Sequence, residues 1–256
     1  FHAESLTAEQ VSVLRRPTLT EKKSESGGLP VSIIIDHAAL RLALSEAFSY
    51  ERGLYDVTAQ LRVRRKGGGQ QGELHARSLL HEGDHLDAVF DIGERRPLLI
   101  DVDATEAQGG AIAGALGLSA DAPFRLSIAA DGRQGQGRFE AVARTGDDTP
   151  LQASGRWNKD GAAASGRLSL VASELTQSIA RRVGPQVRFE LSGQQASQTL
   201  YEVTAGLTAE NLRLAARGRV NPSDRATGRT GLLLVLSTDD LSALAGTGEF
   251  GAARLS

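Results

Sequence analysis

The sequence predicts an all-β fold, an elongated antiparallel sheet with a few short helices. Three observations predict it: apolar side chains recur at every second position, Gly-rich clusters separate these stretches, and one strand pattern returns at a nearly fixed interval. Alternation with a period of two is typical of a strand with one buried face. A long fixed period indicates a stack of similar units. We therefore expect about 15 short strands joined by tight turns.

Apolar positions alternate with polar or charged positions along each predicted strand. The apolar members are Val57, Ala59, Leu61 and Val63; Phe124, Leu126 and Ile128; Val187, Phe189 and Leu191; Tyr201 and Val203; and Leu212 and Leu214. Turn clusters occupy residues 67–72, 131–137 and 158–161. Between Ile33 and Leu44 the apolar positions switch from odd to even numbers, which predicts a β-bulge near Asp36–Ala39.

The repeat is clearest in two pairs of segments. Leu151–Asn158 returns 63 residues later as Leu214–Asn221, and Leu168–Leu175 returns 66 residues later as Leu234–Leu241. Trp157 corresponds to Val220, so it is interpreted as an ordinary position on the apolar face, and Leu168, Leu170, Leu234 and Leu236 join that face. We predict one elongated segment with approximate units at residues 31–97, 98–167 and 168–231, and a further unit starting within 232–256. Residues 17–30 are predicted to form a loop.

Three stretches have helical rather than alternating spacing of apolar residues. They lie at residues 106–118, 174–184 and 239–246, each with an acidic residue near its start. Two roles are open for these predicted helices. They could gate or cap an apolar groove, or they could simply cover apolar surface of the sheet.

Composition excludes several classes of protein. The net charge of −2 and pI near 6.3 do not provide the basic surface that nucleic-acid binding requires. With no cysteine, disulfides, thiol catalysis and cysteine zinc sites are excluded. No stretch reaches about 18 consecutive apolar residues, so no membrane span is predicted. Because no methionine occurs, we expect the chain to be a segment of a longer protein.

The sequence contains no convincing catalytic or metal-binding constellation. His75, His81 and His85 with Glu73 and Asp84 could ligate a metal, but solvated strand and turn residues are the favoured interpretation. Asp101 and Asp103 share one strand face without a partner carboxylate. The loop at 67–72 lacks the Lys-Ser/Thr of a phosphate-binding loop. The basic run of Arg62, Arg64, Arg65 and Lys66 could contact lipid headgroups, but a solvated face is favoured. We predict no enzyme, no metal and no cofactor.

The order of elements resembles a known family. An alternating strand at Leu98–Asp103 precedes a small-residue helix at Gly109–Leu118, followed by the strand at Ala122–Leu126 and by closing motifs at Gly155-Arg156-Trp157 and Gly166-Arg167-Leu168. This order is similar to that of the TamB-like translocation and assembly module proteins, alphaproteobacterial members of the AsmA-like, bridge-like lipid transfer group. The similarity covers most of residues 31–256.

The resemblance implies a fold and a function that composition does not provide. The sheet would curl into an open trough (a β-taco) with a hydrophobic groove. Such proteins are anchored in the inner membrane and cross the periplasm. They conduct phospholipids to the outer membrane, and they assist outer-membrane protein assembly with a BamA-like barrel partner, TamA, which would contact parts of the parent chain outside this segment. Phospholipid acyl chains would lie on Val57, Ala59, Leu61, Val63, Phe124, Leu126, Ile128, Trp157, Leu168, Leu170, Val187, Phe189, Leu191, Val203, Leu212, Leu214, Leu234 and Leu236.

Two other classes of function stay open at this point. A structural or adhesive β-solenoid on the cell surface would also be built from repeated strands, although such solenoids usually have shorter repeats and few helices. An enzyme that modifies lipoproteins or polysaccharides would need a nucleophile with a base or a metal, and none is identifiable.

Overall fold

The computed structural model describes residues 1–15, 32–64, 69–93, 97–119, 121–221, 231–238 and 240, and the backbone of 253–255. This part of the chain contains sixteen strands and three short helices. The predicted all-β class with a few short helices is therefore confirmed. None of the described helices combines the length and the apolar character that crossing a membrane requires.

The chain divides into two compact units. Unit 1 comprises Phe1–Gln134 and Ala143–Asp148, and unit 2 comprises Gly135–Val142 and Thr149–Ser256. The strands of unit 1 are β1 (His2–Ala3), β2 (Leu6–Val13), β3 (Ile33–Leu44), β4 (Gly53–Val63), β5 (Gln70–Ser78), β6 (His85–Ile92), β7 (Leu98–Glu106) and β8 (Phe124–Arg133), and its helices are α1 (Glu46–Ser49) and α2 (Ala111–Ala115). The approximate repeat boundaries stay a prediction.

Strands β9 (Gln136–Thr145) and β10 (Asp148–Asn158) have residues in both units. The remaining elements of unit 2 are β11 (Gly161–Ser169), α3 (Gln177–Val183), β12 (Gln186–Ser197), β13 (Leu200–Thr208), β14 (Arg213–Val220), β15 (Leu232–Thr238) and β16 (Ala253–Leu255). In both units, strands that are consecutive in sequence are neighbours in the sheet, apart from β1 and β2, which both pair with β3. The sheet of each unit is open, because no pairing joins its first and last described strands.

The antiparallel prediction holds for the pairings between consecutive strands from β3 to β8 and from β10 to β16. It is wrong for β1 and β2. Both of these strands pair with β3 in parallel. A parallel pair requires a long connection, and residues 14–32 separate β2 from β3. The alternation of apolar residues specifies which face is buried but not the direction of the partner strand, so the sequence did not reveal the parallel pairs.

The predicted bulge is confirmed. The register between β3 and β4 shifts between Ile35 and Ala38, which changes the parity of the apolar residues along β3. Before the shift Ile33 and Ile35 pair with Val63 and Leu61, and after it Ala38 pairs with Ala59. The bulge therefore keeps the apolar side chains of both halves of β3 on one face.

Two of the three predicted helices form, and both are shorter than predicted. Helix α2 occupies Ala111–Ala115 within the predicted 106–118, and α3 occupies Gln177–Val183 within 174–184. The third prediction (239–246) and the predicted loop (17–30) lie outside the described residues apart from Asp240. Helix α1 was not predicted, because four residues are too few to show a helical period.

Aromatic rings cover glycines on neighbouring strands in both units. Phe90 lies over Gly72 in unit 1, and Phe189 lies over Gly166 in unit 2. In each case the aromatic residue and the glycine are directly opposite each other on neighbouring strands. A Cβ atom at either glycine would overlap the ring. Each ring thus fills the space left by the missing side chain, which is a known way to stabilise glycine within a sheet.

Candidate functional site

The strand register of unit 1 places apolar side chains in continuous rows across the sheet. In one row Ala38, Ala59, Leu74, Ala88, Val102 and Ile128 are paired in turn from β3 to β8, and in the next row Ile35, Leu61, Gly72, Phe90, Ile100 and Ala130 are paired. Directly opposite residues of an antiparallel pair lie on the same face. We call this surface the unit 1 face. Most of its larger side chains are half-buried.

Unit 2 has an equivalent surface, the unit 2 face. One row comprises Gly155, Ala164, Leu191, Ala205, Ala216 and Leu234, and a second comprises Ala153, Gly166, Phe189, Leu207, Leu214 and Leu236. The opposite face carries Arg188, Glu190, Thr204 and Arg217. The alternation predicted from the sequence thus becomes one apolar and one largely polar face, as it must when the register is fixed.

The unit 2 face is only partly covered. Leu191 is 49% exposed and Leu234 is 55% exposed, although both lie in a row that is otherwise apolar or small. Between them Ala205 and Ala216 are half-buried and have short side chains. A row of small residues with exposed leucines at either side provides space above the sheet for a further apolar group.

Helices close one end of the apolar face in each unit. In unit 1 Tyr55, Val57, Ala76 and Ala111 form a buried cluster, with Ile112 of α2 packed against it. In unit 2 Leu170 packs with Ala180 and Val183 of α3 and with Ala209. Each helix therefore covers apolar surface at one end of the strands, which we call the capped end. A gating role stays a prediction.

This packing separates the predicted groove residues into two groups. Val57, Phe124 and Leu170 are buried at the capped ends, and Leu168, Val187 and Leu212 pack against the α3 cluster. They therefore fill space that the sequence analysis assigned to a vacant groove. The remaining predicted positions lie on the partly open apolar faces: Ala59, Leu61, Val63, Leu126 and Ile128 in unit 1, and Trp157, Phe189, Leu191, Val203, Leu214, Leu234 and Leu236 in unit 2.

Glu106 holds the capping helix of unit 1 in place. It is the last residue of β7, it is fully buried, and it lies on the apolar face opposite Phe124. Its carboxylate accepts hydrogen bonds from the backbone N–H groups of Ile112 and Ala113, both at 2.8 Å, and from the Tyr55 hydroxyl at 3.1 Å. Glu106 therefore acts as a remote N-cap of α2, whose own N-cap residue, Gly110, has no side chain.

The electrostatics of this buried pair are consistent with that role. Burial is the main cause that raises the pKa of Glu106, against the lowering effect of its three donors. Burial followed by the nearby Glu106 charge raises the pKa of Tyr55, so the phenol stays protonated and donates. The sequence analysis placed Glu106 at the start of a helix, where an acidic residue is common. Its burial on the sheet was missed because a lone Glu after the alternating pattern of β7 carries no signal of its partners.

Of the histidines considered as metal ligands, His75 and His85 lie on the polar face of unit 1. His75 contacts Asp87 through Nδ1 and Glu73 through Nε2, both at 2.6 Å, and Arg77 makes a two-pronged pair with Asp87 at 2.7 and 3.0 Å. His81 lies in the turn between β5 and β6, and His85 contacts Asp103 at 3.2 Å. No group of three side chains suited to a metal ion occurs among the described residues.

The ion pairs of His75 predict a measurable pH dependence. Hydrogen bonds to Asp87 and then Glu73 raise the pKa of His75 above its usual value. Because the pKa of His75 is higher in the folded than in the unfolded state, its protonation stabilises the fold. This contribution is complete below the unfolded-state pKa of about 6.5 and is lost as pH rises through the folded-state pKa. We expect the melting temperature of the wild type, relative to that of a His75→Gln variant, to fall between pH 6 and pH 9. A constant difference over that range would contradict the assignment.

Asp101 and Asp103 are exposed on the polar face, as the sequence predicts. Arg62 contacts Asp36 at 3.4 Å and Arg64 is exposed, while Arg65 and Lys66 lie outside the described residues. The feature of this chain with the strongest functional implication is thus the pair of partly open apolar faces.

Comparisons with protein-family models, with curated proteins and with solved structures give no match for this chain.

Proposed function

We propose that this chain is a segment of a bridge across the periplasm that conducts phospholipids between the inner and outer membranes. The acyl chains lie on the unit 1 and unit 2 faces. The parent chain is anchored in the inner membrane, and it assists outer-membrane protein assembly together with a TamA-like barrel. The lipid-binding part of this proposal rests on the geometry of the two faces, and the location and the barrel partner rest on the family resemblance.

The observation that carries the proposal is the exposure of Leu191 and Leu234 in a continuous apolar row. Exposed leucines at 49% and 55% are unfavourable in water unless a further apolar group covers them. Ala205 and Ala216 lie between them in the same row and leave space for such a group. An acyl chain is the simplest apolar ligand that follows a row instead of filling a defined pocket.

The rows also favour movement of a bound chain. Each buried CH₂ contributes about 0.8 kcal/mol to binding. When successive strands present similar apolar residues, that contribution stays nearly constant as the chain slides from one strand to the next. A deep pocket would instead hold the chain at one position. Conduction therefore requires uniform rows such as the six-residue rows of both units.

Two adjacent alanines provide a matched test of lipid binding. Ala216 lies on the unit 2 face between Ala205 and Leu234, whereas Ala215 is on the polar face between Gly206 and Val235. A carboxylate beside an acyl chain would have to be desolvated, at a cost of several kcal/mol. We expect Ala216→Asp to reduce the phospholipid that copurifies with the chain by at least about tenfold, whereas Ala215→Asp leaves it unchanged.

The measurement is lipid extraction with mass spectrometry of the purified chain, repeated by native mass spectrometry. Crosslinking by a phospholipid with a photoreactive acyl chain locates the site: its products should include Leu191 and decrease in the Leu191→Asp variant. A wild-type chain that copurifies no phospholipid would exclude the proposal and favour a structural solenoid. Equal loss in the Ala215 and Ala216 variants would exclude the unit 2 face as the site.

A further inference from the structure

Beyond the apolar faces, unit 1 exposes a second apolar surface at its capped end. Tyr50, Leu79, Leu80 and Leu116 are 53%, 45%, 50% and 43% exposed. Glu46, Glu51 and Glu82 adjoin these residues in sequence, and the basic residue among them is Arg52, which pairs with Glu46 at 3.1 Å. We call these apolar and acidic residues together the acidic patch.

Direct contacts bring the parts of the acidic patch together. The backbone N–H of Leu79 donates to the carbonyl of Leu54 at 2.7 Å, which joins the β5–β6 turn to the start of β4, just after α1. At the other end of the same turn, Asp84 accepts a hydrogen bond from the N–H of Ala107 at 2.7 Å. Helix α2 contacts α1, since the carbonyl of Ser49 lies against Gly114. The exposed side chains thus belong to one surface formed by α1, α2 and this turn.

Tyr50 is held in an unfavourable backbone conformation on this surface. Its φ of 62° lies in the left-handed region, which a bulky residue rarely adopts and in which glycine is preferred at a helix end. The residue is 53% exposed. A strained residue that displays an exposed aromatic ring is typical of a surface with a binding role.

Unit 2 also exposes apolar side chains beside its own capping helix, and the charged residues next to them are basic instead of acidic. Val171, Leu175 and Ile179 are 54%, 48% and 49% exposed and are spaced four residues apart. Arg181 and Arg182 follow in the last turn of α3, and Arg182 lies on the same side as Ile179 because it is three residues later. The hydroxyl of Thr176 fixes this segment by donating to the carbonyl of Leu170 at 2.6 Å. We call Val171, Leu175, Ile179, Arg181 and Arg182 the basic patch. Glu174 is an acidic neighbour of Leu175 in the sequence.

We propose that the chain associates with a second copy of itself by docking the basic patch of one copy onto the acidic patch of the other. Each patch places exposed apolar side chains beside charged ones, and the charges are complementary: Glu51 and Glu82 face Arg181 and Arg182. Because the two patches differ, the contact is heterologous, and repetition joins copies head to tail. The contact requires no ligand on the apolar faces, so it is independent of the proposed lipid conduction.

The patches are small, so the contact is weak. Three or four exposed side chains on each partner form an interface below the size of a stable complex, and we expect a dissociation constant on the order of 0.1 mM. Salt should weaken it further, because exposed charges are screened within about 10 Å at 0.1 M ionic strength. Sedimentation equilibrium between roughly 10 μM and 1 mM, at low and high salt, covers this range.

Charge reversal and its rescue give the decisive experiment. Arg181→Glu with Arg182→Glu should weaken self-association at least about tenfold, and so should Glu51→Lys with Glu82→Lys. An equimolar mixture of these two variants should associate, because the unchanged acidic patch of the first can dock onto the unchanged basic patch of the second, and their two reversed patches also carry opposite charges. Arg217→Glu on the polar face is the control and should associate like the wild type. Association that resists both reversals, or a chain that stays monomeric at 1 mM and low salt, would overturn the proposal.

The chain has no cysteine, which allows the two patches to be located directly. A Leu80→Cys variant mixed with an Ile179→Cys variant should form a disulfide-linked heterodimer at least several-fold faster than either variant links with itself. Equal rates would contradict the patch-to-patch contact. Tyr50→Gly should raise the melting temperature by about 2–4 °C by relieving the left-handed conformation, and it should weaken self-association in the same protein. Unchanged association in this stabilised variant would exclude Tyr50 from the contact.

Discussion

Replacing Gly114 by alanine is expected to destabilise the chain by about 1–3 kcal/mol, the typical range for overpacking a tight contact. Gly114 lies within α2, and a Cβ atom there would overlap the carbonyl oxygen of Ser49 and approach its carbonyl carbon. Both are backbone atoms, so no flexible side chain can move aside. Helices α1 and α2 would have to separate, which would expose the cluster around Val57 and Ala111.

The sign of this effect distinguishes it from helix propensity. Alanine inside a helix is usually more favourable than glycine by about 1 kcal/mol. If Gly114 did not contact Ser49, the Gly114→Ala variant would therefore be more stable than the wild type. Gly206→Ala is the control, because a Cβ atom there meets no atom within 4 Å, and we expect it to change stability by less than about 0.5 kcal/mol. Chemical denaturation of the three proteins measures both effects. A Gly114→Ala variant as stable as the wild type would show that α1 and α2 do not pack as described.

Replacing Glu106 by alanine is the second change with a large expected effect. It leaves the N–H groups of Ile112 and Ala113 and the hydroxyl of Tyr55 without their acceptor in a buried environment. Each buried donor without a partner costs about 1–3 kcal/mol. Part of this loss is offset because a buried carboxylate is removed, so we expect a net destabilisation of about 3–5 kcal/mol.

Glu106→Gln and Tyr55→Phe separate the contributions. The glutamine retains one acceptor oxygen and should cost less than the alanine, and Tyr55→Phe should cost about 1 kcal/mol by removing one donor. The pKa of Glu106 is raised in the fold, so its charged form is disfavoured there. The wild type, relative to Glu106→Gln, should therefore lose stability as pH rises from the unfolded-state value of about 4.3 through the folded value. An increase with pH would show that the three donors outweigh burial.

The faces of the strands could be derived from the sequence with little ambiguity. Because side chains alternate strictly along a strand, the assignment of Leu191 or Leu214 to the apolar face follows from their neighbours. The bulge near Asp36–Ala39 was also predictable, because only an extra residue can switch the parity within one strand. The strand faces and the bulge were predictable because the pattern of apolar residues that indicates each of them lies within a window of about ten residues.

The features that the sequence did not reveal depend on distant residues. The parallel pairing of β1 and β2 is a choice of partner and direction, which local alternation does not encode. The capped ends depend on α2 and α3 folding back onto particular strands, so Val57, Phe124 and Leu170 are buried and not part of an open surface. Glu106 accepts from residues six and seven positions later and from Tyr55, 51 positions earlier.

The sequence by itself determined that this chain is built of strands with one apolar and one polar face, because a period of two is a local property of the backbone. Only the tertiary structure decided how much of each apolar face stays open. Packing of the short helices against one end of the strands depends on contacts between residues far apart in the chain, such as Gly114 with Ser49. Those contacts leave Leu191 and Leu234 exposed and bury Val57 and Leu170.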